Sequence, residues 1–134
     1  MSGLSLDKNK LNNFINNNID KSFYSLLNYY LNINKLTISK LVKLSNLDRR
    51  YVTKFKNKDY RPSKNTIIAV ALGLKLKFND LNILLNSCGY TISNSIIFDL
   101  IIQYFVESNY YDIDEINMYL FENGFKVLGT ITRE

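Results

Sequence analysis

Six positively charged side chains lie within residues 47–63, and their spacing indicates a surface that contacts a polyanion. They are Arg49, Arg50, Lys54, Lys56, Lys58 and Arg61, and the same stretch contains two acidic residues. Val52 and Phe55 stand among them three positions apart, as residues on one face of a helix do. Such a helix would bury its apolar face in a core and present its cationic face to a partner rich in phosphate.

The charge of the 134-residue chain is divided unevenly around its net value of +5. Residues 35–64 contain ten Lys and Arg against two Asp, a balance of +8. Residues 99–134 contain seven Asp and Glu against two Lys and Arg, a balance of −5. A basic block of this size is typical of proteins that bind nucleic acid, and the alternative is a basic surface that only contacts solvent.

The residue types of the chain exclude several kinds of active site. It has no histidine, and Cys88 is its single cysteine, so a Ser-His-Asp triad, a zinc cluster and an intramolecular disulfide are impossible. Asp112, Asp114 and Glu115 are close in sequence, but helix capping explains them better than metal binding. We therefore predict no catalytic residue, no metal and no cofactor, and hence no enzyme.

The hydropathy of the chain predicts a cytoplasmic protein with no membrane segment. Its first 14 residues lack the long apolar core of a signal peptide. No run approaches the roughly 18 apolar residues that a membrane span requires. The apolar content of 46% is sufficient for a hydrophobic core.

Apolar residues recur at helical spacing along the whole chain, and this pattern predicts an all-α protein. The predicted helices cover about 5–17, 20–34, 37–44, 49–57, 63–73, 80–88, 94–108 and 112–122. The residues expected to cap their N-termini are Asp20, Thr37, Asp48, Ser63, Asn79, Ser93 and Asp112. Two hydrophobic staples are expected, Phe78 with Ile83 and Tyr111 with Ile116. Three glycines are expected to stop helices, namely Gly73 (in the left-handed conformation), Gly89 and Gly124.

Two of these helices, 37–44 and 49–57, are short and are joined by about four residues, as in a helix-turn-helix. The second helix of that motif presents its first turn to base edges in the major groove. Its outward positions here are Arg49, Arg50, Thr53 and Lys54, and its inward positions are Val52 and Phe55.

The segment LTISKLVKLSNLDRRYVTKFKNKDYRPSKNTIIAVALGLKLKFNDLN resembles the lambda-repressor-like, XRE-type helix-turn-helix family. LVKLSNLD, RRYVTKFKN, YRPSKNT and ALGLKLKFNDL occupy the motifs of that family in order and at matching spacing. The resemblance covers about residues 22–88. It implies a five-helix domain, to which this chain adds an N-terminal helix and two extra C-terminal helices.

The resemblance also implies roles for individual residues. Arg49, Arg50, Thr53 and Lys54 are expected to read bases, and Arg can grip O6 and N7 of guanine with two hydrogen bonds. The residues expected to contact phosphates are Thr37, Lys40, Tyr51, Lys56, Lys58 and Arg61. Asn46 replaces a common glycine in the turn, while Lys56 and Lys58 replace a frequent glutamate and a frequent glycine. Both lysines strengthen the attraction to phosphate.

The resemblance implies a sequence-specific regulator, in this family often a repressor, that binds double-stranded DNA as a homodimer. The predicted units are an N-terminal extension (1–19), a DNA-binding domain (20–89) and a C-terminal helical pair with a short tail (90–134). The acidic, apolar residues 93–124 are expected to form the dimer or to bind a protein partner. Alternatively, they complete the core of a single domain.

A second function class stays open on the sequence alone. In it the chain is an antitoxin or adaptor whose acidic C-terminal helices bind a partner protein, and DNA binding is secondary. RNA binding is a weaker option, because the chain has no aromatic-stacking motif.

Overall fold

The structure is a computed structural model that describes residues 5–130, and these residues form eight helices and no strand. The helices are α1 (Lys8–Asn18), α2 (Phe23–Ile33), α3 (Ile38–Leu44), α4 (Arg50–Lys56), α5 (Lys64–Gly73), α6 (Phe78–Ser87), α7 (Ile97–Glu107) and α8 (Ile113–Glu122). The prediction of an all-α protein is confirmed. Within the described residues, no helix has both the length and the apolar character that crossing a membrane requires.

Helix α1 contributes nothing to the core. Asp7 caps it by accepting a hydrogen bond from the backbone N–H of Lys10 (3.0 Å). All residues in 5–22 are nevertheless exposed, including the apolar side chains of Leu11, Phe14 and Ile15. An isolated helix of 11 residues is only marginally stable in water.

Helix α5 is the centre of the core, and every residue from Thr66 to Leu72 is buried. It packs against α3 and α6, and α6 also contacts α2. The α2–α6 contact includes the Tyr30 hydroxyl, which donates to the Asp80 carboxylate (3.0 Å). Burial, and then this hydrogen bond to Asp80, raises the pKa of Tyr30 to about 12. A helix that is apolar all round can be stable only in such a central position.

The two C-terminal helices share this core. Ile102 of α7 and Ile116 of α8 are fully buried and belong to one hydrophobic cluster that extends from α2 to Leu128. Asp99 of α7 is 1% exposed and accepts a charged hydrogen bond from the Lys64 ammonium (2.7 Å). This pair ties the start of α7 to the start of α5. The domain boundaries at 19/20 and 89/90 stay a prediction.

Several of the predicted helix ends are confirmed. The side chains of Thr37, Ser63 and Asp112 cap α3, α5 and α8 by accepting backbone N–H groups of the first turn. Gly89 and Gly124 follow their helices in the left-handed conformation, with φ of +81° and +78°. Only local backbone chemistry is needed at these positions, which is why sequence alone locates them.

The predicted caps of α2, α6 and α7 are wrong. Ser22, not Asp20, caps α2 by accepting from the N–H of Ser25. Helix α6 starts at Phe78, ahead of Asn79, and Lys77 at its cap position makes no side-chain cap bond. Since Phe78 is itself helical and Ile83 is exposed, the staple predicted between these two residues is also wrong.

Ser93 is the third wrong cap, because α7 starts three residues later than the predicted position 94. The hydroxyl of Ser93 accepts from the N–H of Ser95 in a turn that precedes the helix. The N–H of Ser93 donates to the buried Asp99 carboxylate (2.8 Å). The buried Asp99 carboxylate requires hydrogen-bond donors, and the bond from Ser93 holds the residues before α7 in a non-helical conformation.

Gly73 has a different role from the predicted one. It is the last residue of α5, and the left-handed residue that follows is Lys75, with φ of +53°. A Cβ atom at Gly73 would overlap the hydroxyl of Ser45 at the end of α3. The glycine therefore permits the close approach of α3 to α5.

We expect Gly73→Ala to lower the free energy of unfolding by about 1–3 kcal/mol, the usual range for overpacking. In a Ser45→Ala background the same change should cost much less, because the hydroxyl that the new Cβ would meet is gone. Ser45→Ala alone should be nearly neutral, since that buried hydroxyl has no hydrogen-bond partner among the described residues. Urea denaturation of the unchanged protein, the two single variants and the double variant gives the double-mutant cycle. Equal losses in both backgrounds would rule out the clash with Ser45.

Candidate nucleic-acid interface

A tight turn places α4 against the end of α3. The two helices are in contact and are joined by residues 45–49. Asn46 in this turn has φ of +58°, as expected of the residue that replaces a glycine there. Leu47 follows it, is buried in the core, and donates its N–H to the Val42 carbonyl (3.1 Å). The turn is therefore fixed by both backbone and side chain.

Helix α4 has one face in the core and one in solvent. Phe55 is 1% exposed, and its ring lies within 6.1 Å, centroid to centroid, of the rings of Phe23, Tyr51 and Tyr60. Val52 is half-buried beside it. The side chains on the solvent side are those of Arg49, Arg50, Thr53, Lys54 and Lys56. The predicted division of this helix into an inward and an outward face is confirmed.

Arg50 is engaged by Asp48. Its Nε donates to Oδ1 (3.0 Å) and its Nη2 donates to Oδ2 (2.7 Å), so the carboxylate is bound at both oxygens. Asp48 also accepts the backbone N–H of Arg50 (2.9 Å), but α4 begins one residue later than predicted, so Arg49 rather than Asp48 stands at its cap position. The hydrogen bond from Arg50 holds the pKa of the Asp48 carboxyl well below its usual range.

This ion pair is exposed and therefore exchangeable. The Arg50 side chain is 80% exposed, and solvent screens such pairs so strongly that they contribute little to stability. The guanidinium can exchange the carboxylate for another acceptor at small cost. A partner that offers two acceptors at the same spacing would replace it best.

Lys54 is held over aromatic rings rather than over an acid. Its Nζ lies 4.5 Å from the centroid of the Tyr51 ring and 5.8 Å from that of Tyr60. Tyr51 and Tyr60 are both half-buried beside Phe55. A cation over the face of a ring keeps its charge accessible, so Lys54 presents an ammonium at a fixed place on the outer surface of α4.

Of the residues predicted to contact phosphate, Tyr51 is half-buried and the others are exposed. Lys40, Lys56 and Lys58 are exposed, the first on α3 and the others at and after the end of α4. Thr37 is exposed as well, but its hydroxyl already accepts the N–H of Lys40 (3.1 Å) as the cap of α3. The contacts of these residues with phosphate stay a prediction.

Arg61 is in a different situation. Its Nη2 donates to the carbonyl of Cys88 at the end of α6, and its guanidinium lies 6.0 Å from the centroid of the Tyr90 ring. Arginine at a helix C-terminus satisfies a carbonyl that the helix leaves unpaired. Part of this side chain therefore has a structural role, whereas the sequence analysis assigned the whole side chain to contact with phosphate.

The C-terminal tail reaches this turn, which sequence reasoning did not predict. Residues 125–130, called here the C-terminal strap, return from α8 with Leu128 fully buried. The N–H of Thr130 donates to the Asn46 carbonyl (2.9 Å), and the Thr130 hydroxyl accepts the N–H of Asp48 (2.9 Å). The strap thus bonds to the backbone directly before α4. Residues 131–134, the rest of the predicted short tail, lie outside the described residues.

Three asparagine side chains hold the strap. Asn117 of α8 bonds both the N–H and the carbonyl of Leu128 (2.7 and 2.9 Å). Asn65 of α5 donates to the Val127 carbonyl (2.9 Å) and accepts the N–H of Gly129 (3.0 Å). Asn46 donates to the Leu128 carbonyl (3.1 Å). Asparagine is so abundant in this chain, at 19 residues, that these three gave no distinct sequence signal.

Between residues 5 and 130, no group of three or more Cys, Asp or Glu side chains is arranged to hold a metal ion. Comparisons with protein-family models, with curated proteins and with solved structures found no match for this chain. The resemblance to the XRE-type family, including its five-helix arrangement, therefore stays a prediction.

We expect Gly129→Ala to destabilise the protein more than Gly124→Ala does. Both glycines have φ near +80° (+82° and +78°), so both substitutions share the cost of left-handed alanine, about 1 kcal/mol. Only at Gly129 would the added Cβ overlap the Asn46 carbonyl, whereas at Gly124 it meets nothing. The difference between their free energies of unfolding in urea should be about 1–3 kcal/mol. Equal losses would contradict the contact between strap and turn.

Proposed function

We propose that this chain binds double-stranded DNA and reads its major groove with the exposed face of α4. The observation that carries the proposal is the placement of that helix. Phe55 anchors its inner face in the core, while Arg49, Arg50, Thr53 and Lys54 occupy the outer face. A rigid helix with cationic and hydrogen-bonding side chains in its first turns suits contact with base edges.

The charge around α4 supports the same function. Lys40, Lys43, Lys56 and Lys58 are exposed on α3 and on the C-terminal side of α4. Cations flanking a reading helix bind phosphates and release condensed counterions, which supplies affinity for any DNA sequence. In the proposal these lysines place the helix, and the side chains on its outer face discriminate among bases.

The Arg50–Asp48 pair gives this surface a source of selectivity. Asp48 repels phosphate, and it offers Arg50 two acceptor oxygens. A DNA phosphate also offers two oxygens, so guanine, with O6 and N7, is not distinguished by its number of acceptors. Because the Asp48 carboxylate repels a phosphate but not the neutral edge of a base, we assign Arg50 to a guanine rather than to the DNA backbone.

The proposal extends to a cytoplasmic repressor that acts as a homodimer, since half-sites on DNA are commonly read by symmetric dimers. The second candidate, an antitoxin or adaptor that binds a protein, is favoured by the apolar groove that α7 leaves open to solvent. Selection of bound duplexes from a random pool separates the two. Enrichment of an inverted repeat supports the regulator, and retention of no common sequence overturns it.

We expect Arg49→Ala and Arg50→Ala each to weaken binding to the selected site by about 1–3 kcal/mol, the usual value of a bidentate base contact. Binding to a random duplex of equal length should change much less, because phosphate contacts supply that affinity. Fluorescence anisotropy at one fixed salt concentration measures both. Equal losses on the two duplexes would make these arginines phosphate ligands instead of base readers.

The dependence of affinity on salt tests the lysines. With about four or five phosphate contacts per protomer, a dimer should show a slope of log affinity against log salt on the order of −7 to −9. Lys56→Gln and Lys58→Gln should each flatten the slope by roughly one unit per protomer, on every DNA sequence. Lys75→Gln is the matched control, an exposed lysine between α5 and α6. A slope near zero in the unchanged protein would refute DNA binding.

A further inference from the structure

An open apolar groove runs along α7 on the surface of the protein. It is lined by Ile97, Leu100, Ile101, Tyr104, Phe105 and Tyr119, and its volume is about 420 Å³. None of these residues is charged, and Tyr104 is 68% exposed. Exposed apolar surface of this kind, on a helix whose other face is in the core, is typical of an interaction site.

Helix α1 is amphipathic, yet none of its residues is buried by the rest of the described chain, residues 5–130. Leu11, Phe14 and Ile15 form a stripe at i, i+3 and i+4, and Phe14 is 65% exposed. This spacing is that of helices that lay their apolar face into a groove on another protein. A partner would also supply the stability that a helix of 11 residues lacks in isolation.

The charges of the two surfaces are complementary. Helix α1 contains Lys8 and Lys10, and its only adjoining acid on the N-terminal side is the cap Asp7. Residues 97–122 contain six acidic residues and no Lys or Arg. Of these acids, five are exposed, namely Glu107, Asp112, Asp114, Glu115 and Glu122. Opposite charges around an apolar contact select the partner and its orientation.

We propose that α1 of one copy of this chain docks into the α7 groove of a second copy, and that the exchange is reciprocal. A reciprocal exchange closes at two chains, forms the same contact twice and buries both apolar surfaces of each chain. Within one chain α1 is exposed on all sides, so it does not fill its own groove. The proposal goes beyond DNA binding and does not depend on it. The resulting dimer also contains two α4 helices.

Engineered disulfides test the exchange and identify the occupant of the groove. Phe14→Cys and Tyr104→Cys are prepared as separate full-length proteins and are mixed under mild oxidation. Both positions are exposed, so neither change disturbs the core. We expect a covalent dimer as the dominant product of the mixture, and little from either variant alone. The unchanged protein should have twice the 15.6 kDa mass of one chain by light scattering.

Matched control variants distinguish the proposed contact from other cross-links. Asn13→Cys, on the opposite face of α1, should not cross-link to Tyr104→Cys, and the unchanged protein controls for the buried Cys88. A dimer from Phe14→Cys alone would show pairing of α1 with α1 and overturn the proposal. A chain that carries both Phe14→Cys and Tyr104→Cys would also overturn it by forming an intramolecular disulfide, and so would a monomeric mass of the unchanged protein without cross-links in the mixture. Since no DNA is present, the exchange can stand even where the DNA selection fails.

Discussion

The conformation of Asn46 is the constraint on which the candidate interface depends. Its left-handed backbone, with φ of +58°, turns the chain from α3 into α4, and the residue is only 2% exposed. Buried polar groups need partners, and here the C-terminal strap supplies them. The Asn46 carbonyl accepts the N–H of Thr130, and its amide donates to the Leu128 carbonyl. Glycine would adopt the same backbone but would lack that donor, so asparagine suits a turn that is covered rather than exposed.

The strap couples α4 to the acidic half of the chain. Asn117 holds it from α8, Asn65 holds it from α5, and Thr130 bonds the N–H of Asp48 directly before α4. These contacts hold the start of α4 in one orientation, as precise recognition would require of the proposed reading helix. A second protomer docked on α7 would act on the same rigid unit. The separation of two α4 helices would then be a fixed property of the dimer, and so would the spacing of the half-sites that it fits.

Sequence reasoning succeeded where the physical cause is local. The eight helices follow from apolar periodicity, and the caps at Thr37, Ser63 and Asp112 follow from the hydrogen bonds of one turn. It failed where several polar residues near a helix start could each serve and tertiary contacts choose among them, as at Asn79 and Ser93.

Contacts between distant residues had no local signal at all. Asn46 and Leu128 are 82 residues apart, and periodicity predicts that a side chain is buried without identifying what covers it. The role of Gly73 was missed for the same reason, since its need for space comes from Ser45 on another helix. For the candidate interface, the two faces of α4 could therefore be predicted, whereas the strap could not.

The two salt bridges that involve residues of the basic block differ in how far they are buried. Lys64 neutralises Asp99, which is 1% exposed and would be strongly destabilising as an unpaired buried charge. That lysine is committed to the core, whereas Arg50 shares an exposed pair that solvent already weakens. The block of residues 35–64 therefore presents less positive charge than its sequence count indicates. The exposed cations lie on α4 and on either side of it. They concentrate the positive electrostatic field of residues 35–64 at the helix that we propose to enter the DNA major groove.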